Sequence, residues 1–444
     1  MTRFVSTRGN APAVGFSDAL LAGLAPDGGL YMPEAWPRID VPAGSYQDAA
    51  FAVLRAFVDF GDGELRADID AAYAGFDDPR IAPLVPLGEG RFLLELFHGP
   101  TLAFKDIAMQ VLGRLFARAL ARRGGRATIL AATSGDTGSA AIAALGGLPN
   151  IEVFVMHPRG RVSEVQRRQM TTSTHANVHN IALEGSFDDA QRIVKALFAD
   201  TAFAEAVSLT AVNSINFARI VAQSVYYFTS GPATFVVPTG NFGDVFAGEG
   251  AMRMGLPIKK LVVATNANDI VARALNEGVY EAGDAHRTLS PSMDIQVASN
   301  FERALFEASG RDAAWLREAM RETRLVLPET VRASLAARYA AARADDEETL
   351  AAIARVHRET GRLIDPHTAV AVAAADKVAT EGPVVILSTA HPAKFPDAVA
   401  RATGQIPPLP PGLRGLHLRR ENFSVLAADL GLVRAFIAAR VPAS

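Results

Sequence analysis

The chain has 444 residues, more than one hydrophobic core usually serves, so two or three domains are expected. Hydrophobic residues make up 49% and charged residues 20%, which excludes a disordered or fibrous chain, and a net charge of −3 offers no electrostatic footprint for nucleic acid or an anionic membrane surface. The absence of cysteine excludes disulfides, thiolate nucleophiles and Cys-ligated metals.

The opening Met-Thr-Arg-Phe-Val-Ser-Thr-Arg-Gly has no apolar stretch of signal-peptide length, and no later run is long enough to span a bilayer. A cytoplasmic protein is expected, with a small-molecule substrate, no nucleic-acid or membrane partner, no metal, and a monomeric or homodimeric state. Residues 1–92 carry turn signals, Pro26-Asp27-Gly28-Gly29 and Pro42-Ala43-Gly44, around helical stretches near 45–60 and 65–75. They read as an N-terminal domain of mixed or helical type.

From Phe92 the pattern changes. Short apolar runs at 91–96, 127–132, 151–156, 177–183, 233–238, 260–265 and 384–388 predict strands. Helical spans near 105–122, 137–146, 162–171, 187–198, 214–229 and 244–254 lie between them. Strands apolar throughout and separated by helices imply open, mostly parallel sheets covered on both faces, an α/β architecture. Arg118, Arg122, Arg123 and Arg126 read as a solvated helix end running into a glycine turn. Ala- and Arg/Glu-rich segments near 311–324, 329–343 and 346–360 predict a helical insertion without a heptad seam or repeat. The expected division is a small α/β domain at 93–230, a large one at 231–405 holding the insertion, and a C-terminal extension at 406–444 packed on the body. Ile406–Pro411 reads as a stiff connector.

In open α/β sheets ligands bind beyond the carboxyl ends of strands, so four strand-to-helix loops deserve the chemistry. In His98-Gly99-Pro100-Thr101-Leu102-Ala103-Phe104-Lys105-Asp106, a lysine opens a helix among apolar neighbours. The helix dipole and desolvation both lower its pKa, as an imine-forming or proton-shuttling lysine requires. The plainer alternative is a snorkelling lysine paired with Asp106. Thr133-Ser134-Gly135-Asp136-Thr137-Gly138 offers hydroxyls and free N–H groups as an anion cradle, beyond what an N-cap needs. Thr239-Gly240-Asn241-Phe242-Gly243-Asp244 could wrap a phosphate with main-chain donors, and matches neither a dinucleotide nor a Walker fingerprint. In Ser388-Thr389-Ala390-His391-Pro392-Ala393-Lys394-Phe395 a strand delivers two hydroxyls to its carboxyl end, with His391 read as a structural hydrogen-bonder. In Asn213-Ser214-Ile215-Asn216-Phe217-Ala218-Arg219, a shared helix face for Asn216 and Arg219 could grip a phosphate or carboxylate, or could simply be a capped helix start.

Together with Ser6-Thr7-Arg8-Gly9 and Gly23-Leu24-Ala25-Pro26-Asp27-Gly28-Gly29-Leu30-Tyr31, the order and spacing of these loops resemble the threonine synthases, pyridoxal 5'-phosphate enzymes of fold type II. The resemblance implies that Lys105 is the catalytic lysine and carries the cofactor as an imine. It implies that Gly240, Asn241, Phe242, Gly243 and Asp244 hold the cofactor phosphate, that Thr389 faces the pyridine nitrogen, and that Asp136 stands beside the phenolic oxygen, where most of the wider fold has asparagine. Thr133, Ser134 and Thr137 match positions for the substrate carboxylate or phosphate. Asn213, Arg219 and Asn241 match those around the substrate phosphate. The implied reaction is the conversion of O-phospho-L-homoserine and water to L-threonine and phosphate, by γ-elimination and β-replacement. A fold-type-II lyase that stops at elimination, such as a threonine dehydratase or a phospho-amino-acid phospholyase, is the alternative.

Overall fold

A computed structural model describes residues 2–441 apart from Ser134, Ala211 and Asn213. Two sheets organise the chain, because strands that are apolar on both faces must be covered on both. The larger has six strands in the order Tyr339–Arg343, Lys260–Thr265, Thr234–Pro238, Val384–Ser388, Arg91–Glu95, Leu84–Gly88. All its pairings are parallel except the last, the antiparallel hairpin of Leu84–Gly88 with Arg91–Glu95. The smaller has five parallel strands in the order Ser424–Ala427, Val178–Glu184, Ile151–Pro158, Ala127–Ala132, Leu209–Thr210.

Sheet membership crosses the chain positions expected as domain limits. Arg91–Glu95 joins the larger sheet, and Ser424–Ala427, from the C-terminal extension, closes the edge of the smaller one. The expected strands fall where the apolar runs lie, and Ala127–Ala132, Lys260–Thr265 and Val384–Ser388 coincide with them. One expectation is overturned at 329–343. The helix stops at Arg338, and Tyr339–Arg343 is a strand in register with Leu261–Thr265. An alanine-rich stretch prefers helix in isolation, but the open edge of the larger sheet supplies hydrogen-bond partners that override that preference. Residues 311–324 likewise hold only a short helix, Ala313–Ala319, before the strand Arg324–Val326.

The N-terminal residues brace one helix of the body. Phe217, which opens the helix Phe217–Ser230, packs against Phe4, Trp36 and Phe57 with ring centroids 5.2, 6.0 and 5.8 Å away. The Phe4 contact is edge-on and the other two are tilted, the inclined arrangements that aromatic rings prefer over a face-to-face sandwich. The residue two positions later on that helix is Arg219. Thr7 and Arg8 tie the same N-terminal segment to Glu302 of the helix Phe301–Ala308.

Among the described residues no helix is long and apolar enough to cross a membrane, and no cluster of His, Asp and Glu is arranged to hold a metal.

Candidate active site

The carboxyl ends of both sheets open on one cleft, lined by Lys105, Asp136, Thr137, Arg219, Gly240–Asp244, Ser292, His367 and Thr389. Two of the four loops are joined to each other. Ala103 bridges Ala390, and the Phe104 N–H donates to the Thr389 carbonyl at 2.9 Å, which sets Lys105 and Thr389 side by side. Lys105 is the first residue of the helix Lys105–Arg123 and only 8% exposed. Its ammonium lies 4.6 Å from the centroid of the Phe104 ring and 3.4 Å from Asp136. Burial pulls its pKa down; Asp136 opposes that pull, and Lys394 and Arg219 reinforce it. A snorkelling surface lysine is thereby excluded, and Asp106 is not its partner: the Asp106 carboxylate accepts from the Thr101 N–H and hydroxyl, at 2.8 and 2.7 Å.

The Gly240–Asp244 loop leads from the strand Thr234–Pro238 into the helix Gly243–Arg253. Phe242 takes a left-handed φ of 65°, and its ring is held by Phe301 and Tyr339 at 5.1 and 5.3 Å. Asn300 fixes the turn from behind, donating to the Asn241 carbonyl from its backbone (3.0 Å) and its amide (3.1 Å). Among the described residues no hydrogen bond is made by the backbone N–H groups of Gly240 through Asp244. Five free donors at the positive end of a helix make an anion cradle. A Cβ at Gly240 would lie 2.6 Å from the Ser292 carbonyl oxygen, so only glycine lets the loop pass there. The Asp244 side chain turns away to Tyr226 and Tyr227, whose hydroxyls donate to it, and burial pushes its carboxyl up to about 6.

Arg219 is 4% exposed, and among the described residues its guanidinium has no ion pair or hydrogen bond; Nε is buried without a partner. Burial pushes it down to about 10, against weak support from Tyr226 and Asp244. An unpaired buried cation beside an anion cradle is costly unless a ligand completes it. Asn216 does not share its face. It is the N-cap of the helix, accepting from Ala218 N–H and donating to the Leu20 carbonyl, so the capped-start reading describes Asn216, and Arg219 is left as the candidate for an anion.

In the Thr133–Gly138 loop the two threonines part company. Thr137 lines the cleft, whereas Thr133 turns inward, its hydroxyl accepting from the N–H groups of Gly135 (2.9 Å) and Gly138 (3.0 Å). In these contacts Thr133 supports the loop. Ser134 and Asn213 lie outside the described residues. Asn241 lines the cleft and accepts from Ser299 at 3.4 Å. His391 caps the turn Pro392–Lys394 through Nδ1, and burial pushes it down to about 4, in keeping with a structural role.

Three residues at the site were not singled out from sequence. Gln166 donates to Asp136 at 2.9 Å and Ser292 does so at 3.2 Å. His367 is held by Asp365 at 2.8 Å through Nδ1 and accepts the Ser292 N–H at 3.2 Å. Gln166 carried one local signal, as N3 of a capping box begun by Ser163, but that box explains the helix start and not the reach to Asp136. His367 sits in the first turn of the helix Pro366–Ala375, where the Asp365 cap and Pro366 mark a helix start and not a site, and Ser292 lies in the short turn Pro291–Met293.

The arrangement suits a ligand that carries a phosphate and a group reactive toward an amine. The free amides of Gly240–Asp244 answer the first need and Lys105 the second.

A family model described as pyridoxal-phosphate dependent enzyme matches residues 80–390, one for the threonine synthase N terminus matches 3–73, and one for the threonine synthase C-terminal region matches 368–437. The chain is 48% identical to a threonine synthase of Pseudomonas aeruginosa, over 98% of each chain. It is also 48% identical to the pyridoxal-phosphate-bound threonine synthase of Brucella melitensis, with a TM-score of 0.97 and complete coverage of both chains. The yeast threonine synthase structure aligns with a TM-score of 0.92 at 37% identity, over 99% of this chain and 98% of that one.

Proposed function

The chain belongs to the threonine synthases, pyridoxal-phosphate enzymes of fold type II, and on that premise we propose how its own residues convert O-phospho-L-homoserine and water to L-threonine and phosphate. The observation that carries the assignment of roles is Arg219, a buried cation without a partner among the described residues, facing the cleft that holds Lys105.

The free N–H groups of Gly240 through Asp244 would hold the cofactor phosphate, Lys105 would anchor its carbonyl carbon, and Thr389 would meet its ring nitrogen. When bound, the cofactor supplies an electron-withdrawing ring that stabilises negative charge on the substrate carbons. Thr389 offers that ring a neutral hydroxyl in place of a carboxylate, which leaves it a weaker electron sink and favours elimination and replacement over transamination. Thr137, at the start of the helix Asp136–Leu145, would receive the substrate carboxylate, with Thr133 shaping the loop behind it. Arg219, with Asn241 nearby, would bind the substrate phosphate and stabilise the charge that grows on it as it leaves Cγ. Lys105, once released from the cofactor, is the base that would carry protons among Cα, Cβ and Cγ. Burial pushes its pKa down, the direction that a base working as a free amine requires.

The test is to incubate the purified chain with O-phospho-L-homoserine and measure phosphate and L-threonine together. Equimolar release supports the reading. Phosphate accompanied by 2-oxobutanoate and ammonia in place of threonine would assign the chain to the lyases that stop at elimination.

A further inference from the structure

Two lysines are buried at this cleft, and they differ in what surrounds them. Lys394, on the turn Pro392–Lys394 that follows the strand Val384–Ser388, has no exposed surface at all. Its ammonium donates to Asp136 Oδ1 at 2.6 Å and to the Thr101 carbonyl at 2.8 Å. Asp136 is itself 4% exposed and is the hub of the site. Oδ1 receives Lys394 and the Gln166 amide (2.9 Å), while Oδ2 receives the Ser292 hydroxyl (3.2 Å) and, more distantly, Lys105 (3.4 Å).

Each charge alone would be costly in such a place. A lone Asp136 carboxylate beside Lys105 would hold that lysine as an ammonium, which can neither attack a carbonyl nor accept a proton. A lone Lys394 would be an uncompensated buried cation. The shorter contact and the second acceptor at Thr101 make Lys394 the closer partner of Asp136. Burial raises the Asp136 carboxyl, but Lys394 and Lys105 outweigh it and hold the group well below the usual carboxylate range. The pair sums to zero charge, as a neutral amide side chain at position 136 would.

Resting on the reading of Lys105 as the cofactor lysine, we infer that Lys394 is a positioning residue that cancels the charge of Asp136 and so leaves Lys105 as the free amine. The same contacts explain why only one of the two lysines reacts: Lys394 is tied to a carboxylate and a carbonyl, whereas Lys105 faces open cleft. Among the described residues, the other charged or titratable groups that bear on these lysines and on Asp136 are Asp106, which lies behind Thr101 and is pushed up to about 6 by burial, His391, which feels Lys394, and Arg219 and Asp244, which act on Lys105. His367 approaches through Ser292, and its Nε2 is occupied by the Ser292 N–H.

The test reads Lys105 itself in the cofactor-free, full-length chain. Trace acetic anhydride is added between pH 6 and 10, and acetylation of the Lys105 peptide is quantified by mass spectrometry against the exposed Lys195. Lys394→Met should raise the half-labelling pH of Lys105 by about one unit or more, roughly tenfold less labelling at pH 7.5. Asp136→Asn/Lys394→Met, which leaves no buried charge unpaired, should return the midpoint to within about 0.3 of the wild-type value. A merely structural Lys394 would change stability and leave the midpoint alone. A folded Lys394→Met chain with a wild-type midpoint overturns the inference. So does a double variant whose midpoint falls by a unit, because Asp136 would then have been acting on Lys105 uncancelled; that arm decides even if the single variant does not fold. Borohydride reduction of the cofactor-loaded wild type separates the two claims. An adduct on another lysine overturns the site reading itself, whereas an adduct on Lys105 with unmoved midpoints overturns this inference only.

Discussion

Replacing Arg219 by methionine should make the cofactor-free chain more stable and the enzyme much worse. Methionine keeps the apolar stem in the packed helix face and removes the charge. Burial pushes the guanidinium down to about 10 from an ordinary 12.5, which corresponds to roughly 3 kcal/mol of unfavourable charge burial. The sign follows from linkage. A base whose folded pKa lies below its unfolded value destabilises the fold at every pH below the folded pKa, and the penalty fades only as pH rises through about 10. At pH 7.5 the penalty is therefore fully present, and its removal should raise the urea midpoint by the equivalent of about 1–3 kcal/mol, within the range found when buried ions give way to apolar side chains. Substrate should feel the opposite effect. A charge-assisted contact to phosphate contributes about 1.5–3 kcal/mol, so kcat/KM for O-phospho-L-homoserine should fall roughly ten- to a hundredfold. Inorganic phosphate should raise the urea midpoint of the wild type more than that of Arg219→Met. A variant that was less stable than the wild type would mean that Arg219 makes a structural ion pair. Unchanged kinetics in a folded variant would remove it from the substrate site.

Thr389→Asp should favour a protonated ring and shift product from threonine toward the keto acid and aminated cofactor of transamination, while Thr389→Ser keeps most activity; a product ratio untouched by the aspartate would mean that Thr389 is not the ring partner. Gly240→Ala, whose Cβ would meet the Ser292 carbonyl at 2.6 Å, should lose cofactor on dialysis without unfolding, followed by visible absorbance and circular dichroism. Asp244 has a folded pKa raised to about 6 from 3.8, so its contribution to stability is full below the unfolded value and is lost as pH rises through about 6. Asp244→Asn should accordingly stabilise the cofactor-free chain by about 2 kcal/mol more at pH 6.5 than at pH 4.5; equal gains at both pH values would contradict the burial argument.

The parallel strands and the four loops at their carboxyl ends were legible in sequence because each strand is a bounded apolar run and each loop carries glycine or hydroxyl residues that no strand needs. Tyr339–Arg343 was not, since its alanines carry a local helix preference and only the waiting edge of Lys260–Thr265 makes it a strand. At the site, Arg219 was legible as one of two phosphate candidates, yet sequence could not tell it from Asn216, because the helix begins at Phe217 and turns Asn216 into a cap. Thr133 and Thr137 look alike in sequence, and only the turn at Gly135 decides which of them lines the cleft. The part that stayed hidden is the environment of Asp136. Its partners Lys394, Gln166 and Ser292 come from three separated segments, so its ion pair with Lys394 is visible only once the chain is folded.

The claim on which the account rests is that Lys105 anchors the cofactor in this cleft. Reduction of the purified, cofactor-loaded chain with borohydride, followed by peptide mapping, should place a stoichiometric pyridoxyl adduct on Lys105, and Lys105→Ala should keep some cofactor in the Gly240–Asp244 loop yet yield no adduct and no threonine. An adduct on Lys394, or threonine formation by Lys105→Ala at an appreciable rate, would contradict it.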